Sequence, residues 1–388
     1  MDIIQKAMAS LPQLERLIMT HPGLPHQFVP VSNGYFQGQF YWDSFFIMQG
    51  LQHYGPQGKK IIKGMVENFF VMLDECGHIP NSYNSYNTRT QPPFLSSMVK
   101  LVHSFTHDKE WLKNSYDKIV QEYKNVWTRK PRLTSIGLSR YHDDQDPHNQ
   151  EWDISYAAMQ ESGWDNTLRF GGVVGFNGKY VEGSKVHHCC PVDLNALLYK
   201  YELDLAEIQD ILGGTKEANE WRKKAESRKQ LINDFMWDEE IGLYYDYDYE
   251  AEEKMNAKTL AAFFPLWVGL ADQKQAEKLK LNLSLFEYGG GLSTTEKCLS
   301  HPDMQWGYPN GWVPLHWVII NGLKQYGFDE DASRITHKWL NACADKFVNH
   351  GEWGEKICVD PTAQRFDDPR YKHQSDTYWT MGVFADLY

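Results

Sequence analysis

Apolar residues recur at helical spacing along most of the chain. In nine segments, hydrophobic side chains lie near positions i, i+3, i+4 and i+7, which is the spacing of one face of an α-helix. Several of these segments end at a glycine, the usual C-terminal cap. The segments are 44–55, 59–77, 95–108, 111–127, 191–213, 218–237, 259–281, 311–327 and 331–348. The pattern predicts a mostly α-helical protein of about ten to twelve helices, which favours a toroid of helical hairpins.

Charge and cysteine content exclude several classes of function. Thirty-nine basic against 51 acidic residues give a net charge of −12, which argues against a nucleic-acid or anionic-membrane partner. The six cysteines are irregularly spaced and form no CxxC pair, so neither a zinc site nor a redox motif is indicated. No run of apolar residues is long enough for a membrane span, and the first twenty residues lack a signal-peptide core. We expect a soluble cytoplasmic monomer without metal or cofactor.

Aromatic residues are abundant, 55 of 388, and tryptophans concentrate between the predicted helices beside acids and amides. An aromatic ring can stack on the apolar face of a pyranose while carboxylates and amides bind its hydroxyls. The alternative is that the indoles anchor the core and the polar residues cap helices, which is hard to sustain for all six segments. These segments are 33–46, 79–93, 161–170, 304–314, 350–356 and 375–382. The run 244–250, rich in tyrosine and acids, is expected to be strand-like with solvated acids.

Acidic residues in these segments are candidates for the two carboxyls that glycoside hydrolysis needs on either side of the scissile bond. Asp165 lies between Trp164 and Asn166, a partly apolar position that would keep an acid protonated; the alternative is a helix N-cap. Glu352 or Glu355 can serve as the base. Asp43 can bind sugar hydroxyls or cap a helix.

The segments resemble the signatures of the trehalases, glycoside hydrolase family 37, in the same order along the chain. NGYFQGQFYWDSFF is similar to PGGRFxExYYWDSYF, ESGWDNTLRF to ESGWDFSSRW, and QWGYPNGWVPLHWV to QWDxPNGWAPLQW. The resemblance spans nearly all of residues 25–385. It implies an all-α (α/α)6 barrel and hydrolysis with inversion at the anomeric carbon. We expect one catalytic domain over residues 1–388, with residues 1–24 as an N-terminal helical extension.

Carried over residue by residue, the resemblance assigns the general acid to Asp165 and the general base to Glu355, and gives Glu352 no role. We add Trp164, Asn310 and Arg370 as further substrate-binding candidates. The sugar-binding positions that the resemblance implies are Phe36, Trp42, Asp43, Asn81, Arg89, Gln91, Gly163 and Trp306.

Departures from the family pattern lie in the half of the site that would hold the leaving sugar. Tyr35 replaces a signature arginine, Gly38 a glutamate and Gly307 an aspartate, and residues 143–151 lack an arginine pair. Residues 363–376 replace a glycine-rich lid and bring Arg370 near the position of its glutamate.

The sequence therefore predicts an inverting hydrolase of a small α-glucoside, with trehalose as the default substrate by resemblance. One alternative is a related (α/α)6 hydrolase of glucosyl- or mannosyl-glycerate or of a short α-glucan, because Arg370 can pair with an anionic aglycone. The other is a non-catalytic sugar-binding protein.

Overall fold

The computed structural model describes residues 2–32, 34–83, 85–143, 154–174, 181–182, 184–297, 304–363 and 376–388. Helices dominate this part of the chain. They are α1 Ile3–Ala9, α2 Tyr41–Leu51, α3 Gly55–Cys76, α4 Leu95–Thr106, α5 Lys109–Glu122, α6 Ile154–Glu161, α7 Val192–Leu212, α8 Thr215–Met236, α9 Phe264–Trp267, α10 Gln273–Asn282, α11 Val313–Gln325, α12 Asp329–His350 and α13 Tyr378–Leu387. A π-helical turn, Tyr123–Trp127, extends α5, and short 3₁₀ turns lie at Leu14–Arg16, Gln52–Tyr54, Leu260–Phe263 and Leu283–Leu285.

Strands in the described residues are short and pair antiparallel. They are β1 Val173–Val174, β2 Val181–Glu182, β3 Cys189–Cys190, β4 Trp237–Asp238, β5 Leu243–Tyr244, β6 Tyr247–Asp248, β7 Glu253–Lys254, β8 Glu287–Tyr288, β9 Gly291–Leu292, β10 Asn310–Trp312 and β11 Lys356–Cys358. The pairs are β1–β2, β4–β5, β8–β9 and β10–β11, and β6 lies between β3 and β7. These strands lie in the connections between helices.

The helices form two concentric rings, which confirms the (α/α)6 barrel. The inner helices α2 and α13 are buried around their whole circumference: every residue of α2 and nine of the ten in α13 are buried. Outer helices bury one stripe, as α8 does with Ala218, Trp221, Ala225, Arg228, Ile232 and Met236. Helix α13 packs on α2 and closes the ring. A Cβ on Gly50 would lie 2.3 Å from the Cα of Gly382, so two glycines permit this close contact.

The inner helices α2, α4, α7 and α11 run in one direction, because each is followed by a helix that packs against it and returns the chain. α7 packs on α8 and α11 on α12 as such hairpins. The N-terminal ends of the inner helices therefore meet at one end of the barrel. Segments 33–46, 79–93 and 304–314 lead into α2, α4 and α11, so the fold gathers the aromatic segments at that end.

Two of the sequence predictions are wrong in their local structure. Segment 259–281 is not one helix: it is a 3₁₀ turn, the single-turn α9 and the separate α10. Gly269 has φ +70°, and Asp272 caps the next helix by accepting from the Gln275 N–H at 2.8 Å. The sequence pattern places segment 375–382 between helices, yet Tyr378 already begins α13.

The first residues of the chain pack on the barrel. Helix α1 contacts α12, and the Tyr54 hydroxyl donates to the Pro12 carbonyl at 2.7 Å. Among the described helices, none combines the length and the apolar character that crossing a membrane requires.

Candidate active site

Five tryptophans from distant segments form one buried cluster at the end of the barrel where the loops gather. Trp306 stacks on Trp312 with ring centroids 4.0 Å apart and planes 6° from parallel. Trp164 and Trp42 lie 5.3 and 5.7 Å from Trp306, and Trp379 packs edge-on against Trp312 at 5.9 Å. The indole N–H groups of Trp164 and Trp379 are buried and have no hydrogen-bond partner within the described ranges. Buried donors of this kind normally have a partner, so a ligand or water can use them.

A sharp turn after α6 places Asp165 beside this cluster. Gly163 has φ +74°, and a Cβ there would lie 2.6 Å from the Trp42 ring, so both the backbone conformation and the packing require glycine. The Thr167 hydroxyl donates to the Trp306 carbonyl at 3.0 Å, and the Trp306 N–H donates to the Asn166 carbonyl at 3.3 Å. The two segments therefore hold each other in place.

The environment of Asp165 favours its protonated form. Burial raises the pKa of Asp165 to about 7, the Arg89 charge opposes the rise, and the Glu355 charge adds to it. With its amide nitrogen facing the carboxylate, Gln160 donates to both Asp165 oxygens at 3.1 and 3.2 Å and accepts from the Tyr156 hydroxyl at 3.2 Å. Asp165 follows α6 and begins no helix, so it is not an N-cap.

Glu355 is fixed by a short ribbon and by the start of α13. It directly precedes β11, in which Lys356 pairs with Trp312 of β10. The Thr380 hydroxyl donates to the Gly354 carbonyl at 2.9 Å. Glu355 is buried, and its charge adds to the rise that burial causes in the pKa values of both Asp165 and Asp43, which brings it into the same site.

Glu352, the other candidate base, lies in a different environment. Its carboxylate pairs with the Lys346 ammonium at 3.1 Å, and its side chain is 33% exposed. The structure therefore favours Glu355 over Glu352 as the carboxylate that shares a site with Asp165.

Asp43 is a third carboxyl in this site, in the first turn of α2. Burial raises the pKa of Asp43 to about 8; its own backbone N–H opposes the rise, and the charges of Glu355 and Asp165 increase it. A hydrogen bond from Gln91 lowers it, and the Gln91 side-chain oxygen Oε1 accepts from the Trp42 backbone N–H at 3.2 Å. Asp43 therefore keeps its proton to a higher pH than Asp165 does.

Arg89 brings a positive charge to the site. Its guanidinium is buried, lies 4.5 Å from the Tyr86 ring centroid and approaches the Asp143 carboxylate at 3.9 Å. The Arg89 carbonyl accepts from the Asn81 N–H at 2.8 Å, a backbone hydrogen bond that fixes Arg89 next to Asn81.

The structure describes the surroundings of two further residues predicted to bind substrate, Phe36 and Asn310, but not those of Arg370. Phe36 packs edge-on against Phe40 at 5.4 Å. The Asn310 amide donates to the Gln305 carbonyl at 3.2 Å, a contact that holds the loop before α11. Arg370 lies outside the described residues, as does the rest of 364–375.

Glu161 is a buried residue whose importance the sequence did not reveal. It accepts from Arg132 Nε and Nη2 at 3.0 and 2.7 Å and from the backbone N–H groups of Thr90 and His142 at 3.2 and 3.0 Å. One carboxylate thus ties two loops, the one before α4 and the one after Trp127, to the end of α6, four residues before Asp165. Its position in the ESGWDN segment was the available signal.

Arg169 forms a second buried network under the site. It makes paired hydrogen bonds of 2.7–2.8 Å to Asp193 and Asp246, and its guanidinium lies 4.5 Å from the Trp164 ring centroid. Asp246 and Asp248 are buried, so the prediction that the acids of run 244–250 are solvated is wrong for these two. The prediction of strands is confirmed by β5 and β6.

Comparisons with known proteins agree with this geometry. A sequence model of the family described as Trehalase matches residues 2–153 and 137–387. The chain is 30% identical to a cytosolic neutral trehalase of Kluyveromyces lactis over 85% of its own length and 50% of that protein. It thus spans about half the length of this curated relative.

Solved structures share the fold. The neutral trehalase of Saccharomyces cerevisiae superposes with a TM-score of 0.78 at 25% identity, over 95% of this chain and 75% of that one. A GH63 mannosylglycerate hydrolase of Thermus thermophilus superposes with a TM-score of 0.66 at 18% identity, over 93% and 95% of the two chains. The second likeness concerns the fold alone.

Proposed function

The chain belongs to the trehalase family, and on that premise we propose that it is a single-domain inverting glycoside hydrolase acting on a small α-glucoside. Trehalose is the default substrate, supported by the names of the trehalase relatives from two yeasts. The name of the first relative also supports a cytoplasmic location. We propose that the protein acts as a monomer.

The observation that carries the proposal is a pair of carboxyls in one aromatic site with different surroundings. Asp165, with its pKa raised to about 7 by burial, holds the proton that the glycosidic oxygen needs as the bond breaks. Glu355 removes a proton from a water on the opposite face of the sugar ring. Inversion requires these carboxyls to lie about 6.5–9.5 Å apart, so that the water fits between the base and the anomeric carbon.

The remaining site residues are assigned to holding the cleaved sugar. The tryptophan cluster offers apolar ring faces for the pyranose. Asp43, whose pKa is raised to about 8 by burial, is a protonated donor at neutral pH, and Arg89 is a charged donor. Retention of both catalytic carboxyls argues against a non-catalytic sugar-binding protein, which would need neither an acid nor a base.

A leaving group other than glucose is favoured by one described departure from the family pattern. Tyr35 replaces an arginine and is 69% exposed, so it offers an open aromatic face where a charged donor is expected. An aglycone such as glycerate or a further α-linked sugar is the second candidate.

Conservative neutral variants test the catalytic pair. We expect Asp165→Asn and Glu355→Gln each to reduce turnover by about 10²–10⁴-fold, the usual cost of losing general acid or base assistance. Glu352→Gln is the matched control and should remain near wild type, because Glu352 pairs with Lys346. Turnover within threefold of wild type in either catalytic variant, or an inactive Glu352→Gln, would contradict the assignment.

The stereochemistry of the first product tests inversion separately. Proton NMR during the first minutes should show β-glucose released from an α-glucoside, with the α-anomer appearing only by mutarotation. Initial release of the α-anomer would mean a retaining mechanism with a different nucleophile.

A further inference from the structure

A cavity lies in the wall of the barrel, away from the candidate active site. Its volume is about 320 Å³, and it opens between the end of α5, the loop 128–137, α7 and α8. Glu202 lies ten residues after Val192 at the start of α7, or about 15 Å along the helix from the end where the site loops gather. We call it the α7–α8 cavity.

The inner wall of this cavity is charged and buried. Arg228 donates from Nε to Glu202 Oε1 at 2.9 Å, and the Tyr123 hydroxyl donates to the same oxygen at 2.5 Å. Glu202 Oε2 is buried, and no residue in the described part of the chain donates a hydrogen bond to it. An unpaired buried carboxylate oxygen costs free energy, so a donor from a bound molecule would stabilise it.

The mouth of the cavity is basic. Lys223 and Lys224 line it from α8, are exposed, and form no ion pair with any described acid. Glu202 pairs with Arg228, so the positive charges at the mouth come from Lys223 and Lys224. The acids Glu220 and Glu226 lie one turn away on α8 and do not line the cavity. A local positive potential on an acidic surface attracts small anions selectively.

We propose that the α7–α8 cavity binds a small polyhydroxylated anion, the chemistry shared by sugar phosphates and sugar acids. A hydroxyl of the ligand donates to Glu202 Oε2 inside the cavity, and its anionic group faces Lys223 and Lys224 at the mouth. The volume suits a molecule of one sugar ring, since small-molecule sites begin at about 300 Å³. This site is independent of the hydrolytic function proposed above.

Calorimetric titration of the full chain tests the proposal with four probes: glucose 6-phosphate, gluconate, glucose and inorganic phosphate. At least one of the two hydroxylated anions should bind at one site per chain, and glucose and phosphate alone should bind at least tenfold more weakly, because each lacks one of the two contacts. The comparison of glucose 6-phosphate with gluconate identifies the preferred anionic group.

Variants at the mouth locate the binding. The double variant Lys223→Ala/Lys224→Ala should weaken binding at least tenfold, and Ser227→Trp, which fills the mouth, should abolish it. The control Lys216→Ala/Lys229→Ala removes the same charge from α8 outside the cavity and should change affinity less than twofold. Saccharide hydrolysis by Lys223→Ala/Lys224→Ala should stay within twofold of wild type, so this test is separate from that of the catalytic pair.

Two results would overturn the proposal. The first is an absence of binding by both hydroxylated anions up to about 10 mM, weaker than a specific site would give. The second is unchanged affinity in the Lys223→Ala/Lys224→Ala and Ser227→Trp variants, which would mean that the anion binds elsewhere, for example in the active site.

Discussion

Replacing Asp165 by asparagine should reduce turnover by about 10²–10⁴-fold and at the same time stabilise the folded protein. Burial raises the pKa of this carboxyl from its ordinary value of 3.8 to about 7. In the folded state, its ionised form is therefore disfavoured relative to the unfolded chain, where it is solvated. An asparagine in its place keeps the size and hydrogen-bonding capacity of the side chain but cannot ionise.

The sign and size follow from proton linkage. Between about pH 4 and pH 7 the folded state holds a proton that the unfolded state has released, so wild-type stability falls as pH rises through this window. A pKa difference from 3.8 to about 7 corresponds to about 4 kcal/mol at about 1.4 kcal/mol per pH unit. The side chain is only partly buried and accepts from Gln160 in its ionised form, so we expect a gain of roughly 2–4 kcal/mol for Asp165→Asn at pH 8.

Denaturant unfolding at pH 4 and pH 8 measures this gain. It should be present at pH 8 and small at pH 4, where Asp165 is protonated in the folded state and only partly ionised in the unfolded chain, where its pKa is 3.8. Asp204→Asn is a matched control of opposite sign. Despite burial, the charges of Lys200 and Lys100 hold the pKa of Asp204 below its ordinary value, so its neutralisation should destabilise the protein at pH 8. A loss of stability in Asp165→Asn at pH 8, or a gain equal at both pH values, would refute the argument.

Three other outcomes are expected. The kcat/KM should fall about tenfold per pH unit above about pH 7 as Asp165 loses its proton. Arg89→Gln should move this fall to higher pH, because burial raises the pKa of Asp165 and the Arg89 guanidinium opposes that rise. An unmoved pH profile would contradict the role of Arg89. Gly163→Ala should lower the free energy of unfolding by about 1–3 kcal/mol more than Gly77→Ala does. Both glycines have positive φ, but only a Cβ at Gly163 would lie 2.6 Å from an indole ring. Equal losses in denaturant titrations would contradict the packing argument. The kcat/KM for trehalose should lie below about 10⁴ M⁻¹s⁻¹, and Tyr35→Ala should change the preference among leaving groups more than it changes kcat on the best substrate; efficient trehalose cleavage would show that the altered half of the site still recognises glucose.

Helical periodicity predicted most of the barrel because it marks the side chains on the apolar face of each helix, and the fold buries those side chains. Segment 191–213, for example, became α7 with a glycine cap at Gly213 in the left-handed conformation. Periodicity failed at 259–281 because apolar residues of a 3₁₀ turn and a short helix continue the same spacing across the break at Gly269. It also missed α13, whose residues are buried on nearly all sides and therefore show no polar face.

The tryptophan segments were recognisable from sequence, but the networks that hold them were not. Arg169 contacts acids 24 and 77 residues away in the chain, and nothing in the local pattern distinguishes such acids from solvated ones. Asp246 lies in an acidic run that resembles a surface segment, yet it is buried and accepts hydrogen bonds from Arg169 and from the Val192 N–H. A buried ion pair of this kind exists only in the assembled fold. The sequence therefore shows the charged residues but not which of them pair.

The different pKa values of the site carboxyls also arise from the assembled fold. Asp43 and Asp165 are chemically identical side chains, and each is preceded by a tryptophan in the sequence. In the barrel, burial raises the pKa of both, and the Glu355 charge adds to the rise at both. The Arg89 charge opposes the rise at Asp165, whereas the Asp165 charge increases it further at Asp43. Asp165 consequently ionises first and can exchange its proton near neutral pH, as a general acid must. Asp43 retains its proton at that pH and can donate to a sugar hydroxyl, which is the role of a binding residue.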